Sequence, residues 1–418
     1  MIQPRQFQSF RCIGAECEET CCQGWDVTVD RASYEKYQQC QDPELKPSLE
    51  RLVTIANPED RDNFARITLT DAACPFLAGN LCSIQIRLGE AYLPATCGSF
   101  PRVMNVVDGT GECSLDLSCP EAARLMLLRP GPDEFCEEGA SEPEVHWSRT
   151  SRTDTAPGRE THPKPYEYFH EIRGFVIGLL QYRALPLWKR ILIIGFFCDK
   201  LQQLASGPDR HEIPEMIRGY VDGVHAGMFD EVSSQLPSQP GVQLEVALEL
   251  IVSRISSGYT SAGFLSCYGE FMKGLHWTSQ STMEELARDY NLAYERYYEP
   301  LLRAHPYILE HYLVNYVYKN MFPLGPLGSS SRLCVQSTAR SIHAAFTLMA
   351  VFYALIRTVM VGVAGFYRES FGDSHIIKVI YSFTRNFEHN LVFPDRMIQA
   401  LSEKGLDNPR GTAILVKN

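Results

Sequence analysis

The cysteines of this chain are concentrated in its N-terminal third. Eleven of the 14 cysteines precede residue 137, although the chain has 418 residues. Packing alone does not concentrate one residue type in this way, because cores draw on many apolar residues. The sequence therefore predicts a thiol-rich site. The eleven cysteines are Cys12, Cys17, Cys21, Cys22, Cys40, Cys74, Cys82, Cys97, Cys113, Cys119 and Cys136.

Disulfide bonds and metal ligation are the two explanations for such a site. Disulfides require an oxidising compartment. The N-terminal sequence MIQPRQFQSF has no basic segment followed by an apolar one, so we do not expect a signal peptide. We expect a cytoplasmic protein with reduced thiols, and dense cysteines there usually bind metal or carry out chemistry. Metal or iron–sulfur ligation is therefore the favoured interpretation.

The composition restricts the class of protein and its partners. Hydrophobic residues make up 45% of the chain and charged residues 21%, which excludes a wholly disordered or fibrous protein. The formal net charge of -11 argues against a general affinity for nucleic acid or for an anionic membrane. We therefore expect no nucleic-acid partner and no membrane partner.

One apolar segment, residues 344–367, is long enough to span a bilayer. Arg357 lies near its middle, and a charge there costs about 2.5–3.5 kcal/mol on insertion scales. We predict a buried helix in which Arg357 is paired or reaches the surface.

The pattern along the chain predicts an α-dominated protein in three parts. Residues 1–130 are rich in cysteine and in turn signals, and predict a small irregular metal or iron–sulfur domain. Residues 131–164 are rich in Pro, Gly, Ser, Thr and Glu, and predict a flexible linker. Residues 165–418 repeat apolar residues three and four apart, and predict a larger all-α domain that holds the substrate or donor pocket.

Local signals place several helices within these parts. Residues 33–39 and 120–128 are predicted to form short helices in the cysteine-rich part. Pro186 is predicted to separate two longer helices. Ser281-Thr282, which precede Glu284-Glu285, have the pattern of a helix start.

The spacing of the cysteines leaves zinc and iron–sulfur ligation open. No histidine precedes His146, so thiolates would supply the ligands, and thiolates select zinc, copper(I) or iron–sulfur clusters. The chain lacks the Cys-x2-Cys pair common in zinc sites, whereas clusters tolerate more varied spacing. The pattern therefore favours a cluster, with zinc as the alternative. The radical S-adenosylmethionine signature is absent, because its third cysteine position is occupied by Gly24.

Several blocks of the chain resemble one known family. FRCIGAECEETCCQGWDVTVD, CPFLAGNLCSIQIRLGEAYLPATCGSFPR and SLDLSCPEAARL closely resemble the flagellin lysine N-methylase (FliB) family. The similarity continues through YYEPLLRAHPYILEHYLVNYVYKNMFPLG and FYRESFGDSHIIKVIYSF, and so covers most of the chain outside the predicted linker. The middle block is also similar to small domains described as zinc- or iron-chelating.

The resemblance implies an S-adenosylmethionine-dependent protein-lysine N-methyltransferase. Its substrate would be flagellin, and an iron–sulfur cluster, expected to be 4Fe-4S, would be associated with the cysteines. Cys40, Cys113 and Cys136 fall outside the family pattern. The cysteines that match the pattern are Cys12, Cys17, Cys21, Cys22, Cys74, Cys82, Cys97 and Cys119.

Other residues are weaker site candidates, and for each of them packing or capping is the competing interpretation. Four neighbours of cysteines could bind the cofactor or donor, and Arg102 could meet a carboxylate. Four residues on one helical face could form a substrate pocket. The first four are Trp25, Asp26, Phe100 and Arg102, and the second four are Tyr312, Asn315, Tyr316 and Asn320.

Two non-enzymatic functions compete with methyl transfer. The protein could be a zinc- or iron-binding adaptor without catalysis, or an iron–sulfur redox sensor. Methyl transfer to a protein lysine would separate the enzyme from both. The sequence identifies neither a catalytic base nor an oligomeric state.

Overall fold

The computed structural model describes residues 1–24, 27–137, 150–153, 155, 164–326, 341–390 and 392–417. Helices predominate, and the predicted mainly α fold with a small N-terminal region of mixed structure is confirmed. The strands are β1 (Ile2–Pro4), β2 (Val27–Val29), β3 (Val53–Ile55), β4 (Ala65–Ile67), β5 (Leu77–Ala78), β6 (Leu81–Cys82), β7 (Arg102–Val107), β8 (Thr110–Leu115), β9 (Phe135–Glu137) and β10 (Thr150–Thr153).

The α-helices occupy both parts of the chain, and the predicted short helices near residues 33–39 and 120–128 are confirmed as α1 and α5. The helices are α1 (Arg31–Gln38), α2 (Lys46–Leu52), α3 (Ser83–Leu88), α4 (Ala95–Ser99), α5 (Pro120–Leu127), α6 (Phe169–Leu180), α7 (Leu187–Ala205), α8 (Ile213–His225), α9 (Asp230–Gln235), α10 (Pro240–Ser256), α11 (Ala262–Gly274), α12 (Met283–Ala293), α13 (Glu299–Ala304), α14 (Tyr307–Lys319), α15 (Ile342–Tyr367), α16 (Asp373–Phe383), α17 (Phe393–Glu403) and α18 (Pro409–Val416). Two π-helical turns cover Tyr294–Tyr298 and Thr384–Glu388.

The largest sheet joins the start of the chain to its middle. Its strand order is β10-β7-β8-β1-β9, and β7 and β8 form an antiparallel hairpin in which Arg102 pairs with Leu115. The strands β9 and β10 fall within the predicted linker. Although this segment has no apolar periodicity, β9 pairs with β1 and β10 pairs with β7 through main-chain hydrogen bonds. Residues 138–149, 154 and 156–163 of that predicted linker lie outside the described residues.

Two hydrophobic cores form, and they divide the chain differently from the predicted domains. The smaller core lies within residues 27–97, where Val29, Tyr37 and Leu49 are buried together. The larger core unites the helices from α6 onward with β8 and α5. The strand and helix that follow the small core therefore pack with the helical region. The domain ranges 1–130, 131–164 and 165–418 stay a prediction.

The central helix of the larger core is α15. Among the described residues it is the helix long and apolar enough to cross a membrane, and its most apolar part is wholly buried inside the protein. Arg357 is 3% exposed, and its guanidinium donates hydrogen bonds to the carbonyls of Leu415 and Val416 and to the side chain of Gln243. The prediction of a buried helix with a paired arginine is confirmed.

Helix starts in this region follow the predicted signals. The Thr282 side chain accepts from the main chain of Glu285, and the Glu285 carboxylate accepts from the main chain of Thr282, forming a capping box. Pro186 directly precedes α7, and α6 ends at Leu180. Both predictions are confirmed.

Candidate functional site

The eight cysteines that match the family pattern converge on one cavity. This cysteine cavity has a volume of about 400 Å³ and lies between the small core, the β7–β8 hairpin and the helical region. Its thiol lining comprises Cys12, Cys17, Cys21, Cys22, Cys74, Cys82, Cys97 and Cys119. The tertiary structure therefore brings together residues spread over more than a hundred positions of sequence.

Short elements bring these cysteines to the cavity. Cys82 ends β6 and directly precedes α3, and Cys119 directly precedes α5. Cys97 lies within α4. Cys82 and Cys119 thus sit at the beginnings of short helices, where main-chain N–H groups favour negative charge, whereas Cys97 lies in the middle of one.

The loop that carries Cys21 and Cys22 is held against a second loop. The main-chain N–H of Cys74 donates to the carbonyl of Cys22 at 2.9 Å, and that of Gly24 donates to Ala72 at 2.8 Å. These two hydrogen bonds bring the paired cysteines next to Cys74, about fifty positions later in the chain.

One subset of the thiols is electrostatically coupled around Cys97. Burial raises the pKa of the Cys97 thiol well above its usual range, and the neighbouring thiols of Cys21, Cys74 and Cys82 raise it further. Burial also raises the pKa of Cys74 to about 11, with Cys82 and Cys21 contributing. These four thiols therefore lie within interaction range of one another.

A second subset surrounds Cys119 and Cys17. Burial raises the pKa of Cys119 to about 12, and Cys17 and Cys21 add to the shift. Burial likewise raises the pKa of Cys17, with smaller contributions from Cys21 and Cys12. Cys21 is thus shared by the two subsets, and its own pKa is raised by a hydrogen bond with Cys22 and by burial.

The donor set fits a metal ion or cluster that prefers thiolate ligands. Within the described ranges, no three His, Cys, Asp or Glu side chains are placed to hold one metal ion. In a four-iron cluster each cysteine binds a different iron, so the ligands are spread around a larger body. Eight thiols around 400 Å³ suit such a body in chemistry and in space.

The remaining cysteines that the structure describes do not line this cavity. Cys40 is buried in the small core, and Cys113, Cys198 and Cys267 are buried in the large one. The Cys136 thiol contacts the carbonyl of Gln3 in the sheet. These places agree with the omission of Cys40, Cys113 and Cys136 from the predicted ligands, and Cys334 lies outside the described residues.

A second, smaller pocket adjoins the cysteine cavity. This adjoining pocket has a volume of about 230 Å³ and shares Cys21, Phe100 and Arg385 with the cysteine cavity. A ligand in it would therefore lie against a wall of the thiol site. The other lining residues are Gln23, Gly24, Ser118, Arg254, Ser257, Gly258, Tyr259, Asn386, His389 and Asn390.

The π-helical turn Thr384–Glu388 supplies one side of this pocket. Such turns insert one extra residue per turn and are frequent at functional sites. Arg385 lies within it and pairs with Glu19 at 3.3 Å. His389 follows the turn directly, so both basic side chains reach the pocket from one short segment.

A buried ionic network lies behind the pocket. The Nε2 atom of His389 lies 3.0 Å from a carboxylate oxygen of Asp116, which is 3% exposed. Lys319 contacts the same carboxylate at 3.4 Å and Glu388 at 3.0 Å. Two buried carboxylates thus flank one ammonium, and His389 extends the network to the pocket surface.

The sequence alone does not mark Arg254, Arg385, Asp116 or His389 as site residues. Asp116 lies in one of the blocks that carry the resemblance, but nothing in its spacing distinguishes it from a surface carboxylate. The basic residues lie on helices where a lone charge most often faces solvent. A pairing across more than 250 positions, such as that of Asp116 with His389, has no local signal.

The predicted cofactor-binding neighbours have different placements. Phe100 lines both cavities, and Arg102 lines the cysteine cavity. The Arg102 guanidinium lies 5.0 Å from the centre of the Phe10 ring, and burial lowers its pKa. Trp25 and Asp26 lie outside the described residues.

The predicted substrate-binding face of α14 is buried in the large core. Tyr312 donates a 2.8 Å hydrogen bond to Glu388, and Asn315 donates to the carbonyl of Leu115 at 3.2 Å. Asn320 donates to the carbonyl of Tyr316 at 3.0 Å. These four residues, Tyr312, Asn315, Tyr316 and Asn320, line neither the cysteine cavity nor the adjoining pocket. Their contacts instead support the site from behind, since Tyr312 and Lys319 hold Glu388.

Comparison with known proteins relates the chain to one family. The family described as FliB lysine N-methylase C-terminal domain matches residues 173–415. The flagellar biosynthetic protein FliU of Salmonella muenchen is 30% identical over 133 residues, which are 31% of this chain and 78% of that protein.

Two further relatives carry an enzymatic name. The lysine-N-methylases of Salmonella typhimurium and Salmonella choleraesuis are each 30% identical over 133 residues, or 31% of this chain. The matched segment spans 33% of the length of each. No solved structure matches the chain.

Proposed function

The chain belongs to the FliB lysine N-methylase family, and from this premise we propose that it is a protein-lysine N-methyltransferase that uses S-adenosylmethionine to methylate lysines of flagellin. The observation that carries the proposal is the basic adjoining pocket, which shares a wall with the eight-cysteine cavity. Flagellin as the substrate is supported by the flagellar name of one relative. The expected compartment is the cytoplasm, where the thiols stay reduced.

The cysteine cavity is the proposed place of a 4Fe-4S cluster. Cys21, Cys74, Cys82 and Cys97 would hold it, because all four line the cavity and neighbouring thiols of this set help to raise the pKa values of Cys74 and Cys97. Four thiolates would leave none of its irons open, so the bound cluster would hold the cysteine loops together beside the adjoining pocket. Zinc is the alternative metal, because it also accepts four thiolate ligands.

The residues of the adjoining pocket can prepare the substrate lysine. Lysine has an ordinary pKa near about 10.4, so its ammonium must lose a proton before the nitrogen can attack a methyl group. His389 faces the pocket, and the Asp116 carboxylate holds its Nε2–H. The other ring nitrogen, Nδ1, has no hydrogen-bond partner among the described residues. We assign to it the removal of that proton, and the buried Asp116 stabilises the imidazolium that forms.

The methyl transfer that follows is a one-step substitution at the methyl carbon. The neutral amine nitrogen attacks the sulfonium methyl carbon, so that a C–N bond forms and the C–S bond breaks. The electron pair of the broken bond leaves on sulfur, and the product is a methylammonium. The protein contributes orientation and the exclusion of water, which can supply much of the rate.

The test is a methylation assay with the metal-loaded full chain. The protein would be purified anaerobically, its iron, labile sulfide and zinc measured, and flagellin incubated with it and S-adenosylmethionine. Mass spectrometry of flagellin peptides should show methylated lysines, and about four irons with matching sulfide should be present per chain. Reactions without donor and with metal-free protein are the controls.

The same experiment separates the competing functions. Iron and sulfide without methyl transfer would contradict the enzyme and favour a redox sensor. Stoichiometric zinc without methyl transfer would favour an adaptor with a structural metal.

A further inference from the structure

One arginine of the adjoining pocket has an unmatched charge. Arg254 lies on α10, lines the pocket and is only 5% exposed. Its Nε donates to the carbonyl of Asn386 at 2.7 Å, and its Nη2 donates to the carbonyl of Tyr259 at 3.0 Å. Its remaining nitrogen, Nη1, is buried and has no hydrogen-bond partner among the residues that the structure describes. Two neutral carbonyls therefore orient the guanidinium and leave one N–H edge unused.

No carboxylate in the described part of the chain pairs with Arg254. The other two basic residues of the pocket are already matched, since Arg385 pairs with Glu19 and His389 with Asp116. The pocket lining includes no Asp or Glu. A buried guanidinium without a counter-ion is costly, because burial removes its hydration and nothing replaces the negative charge.

An anion from outside the chain would complete this arrangement. A guanidinium presents a planar fork of N–H donors that suits a carboxylate, and the hydrogen bond between two charged groups is strong. The pocket is smaller than the roughly 300–1,000 Å³ typical of small-molecule sites, so it suits one end of a ligand. The rest of the ligand would extend past Cys21 into the cysteine cavity.

We propose that Arg254 binds the carboxylate of the methyl donor, so that the amino-acid end of S-adenosylmethionine occupies the adjoining pocket. This inference rests on the proposed function, because it takes the donor from it. Arg254 is then a donor-binding residue with no direct part in proton removal. The sequence suggested Arg102 as the arginine that meets a carboxylate. We assign that contact to Arg254, since Arg102 lines the larger cavity and stacks on Phe10.

The test compares two ligands and four proteins by isothermal titration calorimetry. The ligands are S-adenosylmethionine and its decarboxylated analogue, which keeps the sulfonium and the amino group. The proteins are the metal-loaded wild type, Arg254→Gln, Arg254→Lys and the control Arg288→Gln, whose side chain is exposed. The ligand comparison on the wild type needs no mutation and therefore does not depend on the folding of a variant.

The wild type and Arg288→Gln should bind S-adenosylmethionine about 10- to 100-fold more tightly than the analogue, as expected for a charged hydrogen bond. Arg254→Gln should bind the two ligands about equally, and Arg254→Lys should retain part of the preference. An undiminished preference in Arg254→Gln would overturn the inference, as would equal binding of the two ligands by the wild type. Either result leaves the proposed function standing, whereas no donor binding by the loaded wild type would overturn both.

Discussion

The Nη1 atom of Arg385 donates a 2.8 Å hydrogen bond to the main-chain carbonyl of Thr20, although the two residues lie 365 positions apart. Thr20 directly precedes the Cys21-Cys22 pair, and Arg385 belongs to the π-helical turn of the helical region. The same guanidinium also donates to the carbonyl of Ser118, next to Cys119, at 3.3 Å. One side chain therefore ties two cysteine-bearing segments to the helices.

Removal of this tie should weaken metal retention. We expect Arg385→Gln to lose iron faster than the wild type under a chelator, because two ligand loops lose their charged anchor and Glu19 is left buried without its partner. Iron release would be followed by absorbance. Arg396→Gln, an exposed arginine on α17, is the control. Equal release rates for all three proteins would contradict a role for Arg385 in holding the loops.

Cysteine substitutions should separate the two thiol subsets. Cys97→Ser should lose most of the bound iron, because Cys97 belongs to the subset proposed to hold the cluster. Cys119→Ser should lose less, and Cys113→Ser should keep the wild-type content, because Cys113 is buried in the β8 strand outside the cavity. Iron and sulfide per chain give the result. A larger loss of iron in Cys119→Ser than in Cys97→Ser would show that the second subset, around Cys119 and Cys17, holds the cluster.

The close approach of Gly24 to Tyr259 should make substitution of this glycine destabilising. Gly24 has a φ of +81°, and a Cβ there would overlap the Tyr259 ring. Gly24→Ala should therefore cost about 1 kcal/mol for backbone strain and about 1–3 kcal/mol more for overpacking. Gly109→Ala has the same strain at φ +78° with open space around it, so it measures the strain alone, and the difference between the two variants gives the overpacking cost. Urea unfolding measures both, and equal losses would show that Tyr259 moves aside freely.

Asp133 should make stability depend on pH. Its carboxylate is 5% exposed and its oxygens have no hydrogen-bond partner in the described part of the chain, so burial raises its pKa from 3.8 to about 6. The folded state thus favours the protonated form, and the stability that it contributes below pH 3.8 is lost as the pH rises to about 6. At about 1.4 kcal/mol per pKa unit the whole loss is about 3 kcal/mol, of which about 1.4 kcal/mol falls above pH 5.

The corresponding measurement compares urea unfolding at pH 5 and pH 7. Asp133→Asn should lack this fall in the free energy of unfolding, whereas Asp209→Asn, an exposed control, should keep it. An Asp133→Asn variant that loses as much stability as the wild type over this range would refute the assignment.

The proposed base should be essential to the reaction and not to donor binding. His389→Asn should lower the methylation rate by about 10²- to 10⁴-fold, the usual contribution of a general base. The loss should shrink as the pH rises, because the lysine then loses its proton to water, and the affinity for S-adenosylmethionine should not change. His276→Asn, an exposed histidine paired with Asp289, is the control. A loss that is constant with pH would assign His389 a structural role.

The sequence predicted the elements better than it predicted the site. The helical periodicity, the Thr282 capping signal and the apolar segment around Arg357 are local patterns, and the structure confirms them. The eight cysteines were selected through a resemblance, and the structure places them around one cavity. The face of α14 with Tyr312 and Asn315 was predicted to bind substrate, but its polar groups are bonded to Glu388 and Leu115. A helical face that is buried looks the same in sequence whether it lines a pocket or a core.

The sequence by itself determined which groups are available: eight thiols in a chain without early histidines, and a helical region of ordinary apolar periodicity. These properties depend on residue type and near-neighbour spacing, which are local. Only the tertiary structure decided that Cys21 borders both cavities, that Asp116 meets His389, and that Arg254 is buried without a carboxylate. Such relationships join residues hundreds of positions apart, and they depend on how cores pack and on which charges packing leaves unmatched. No local pattern encodes them.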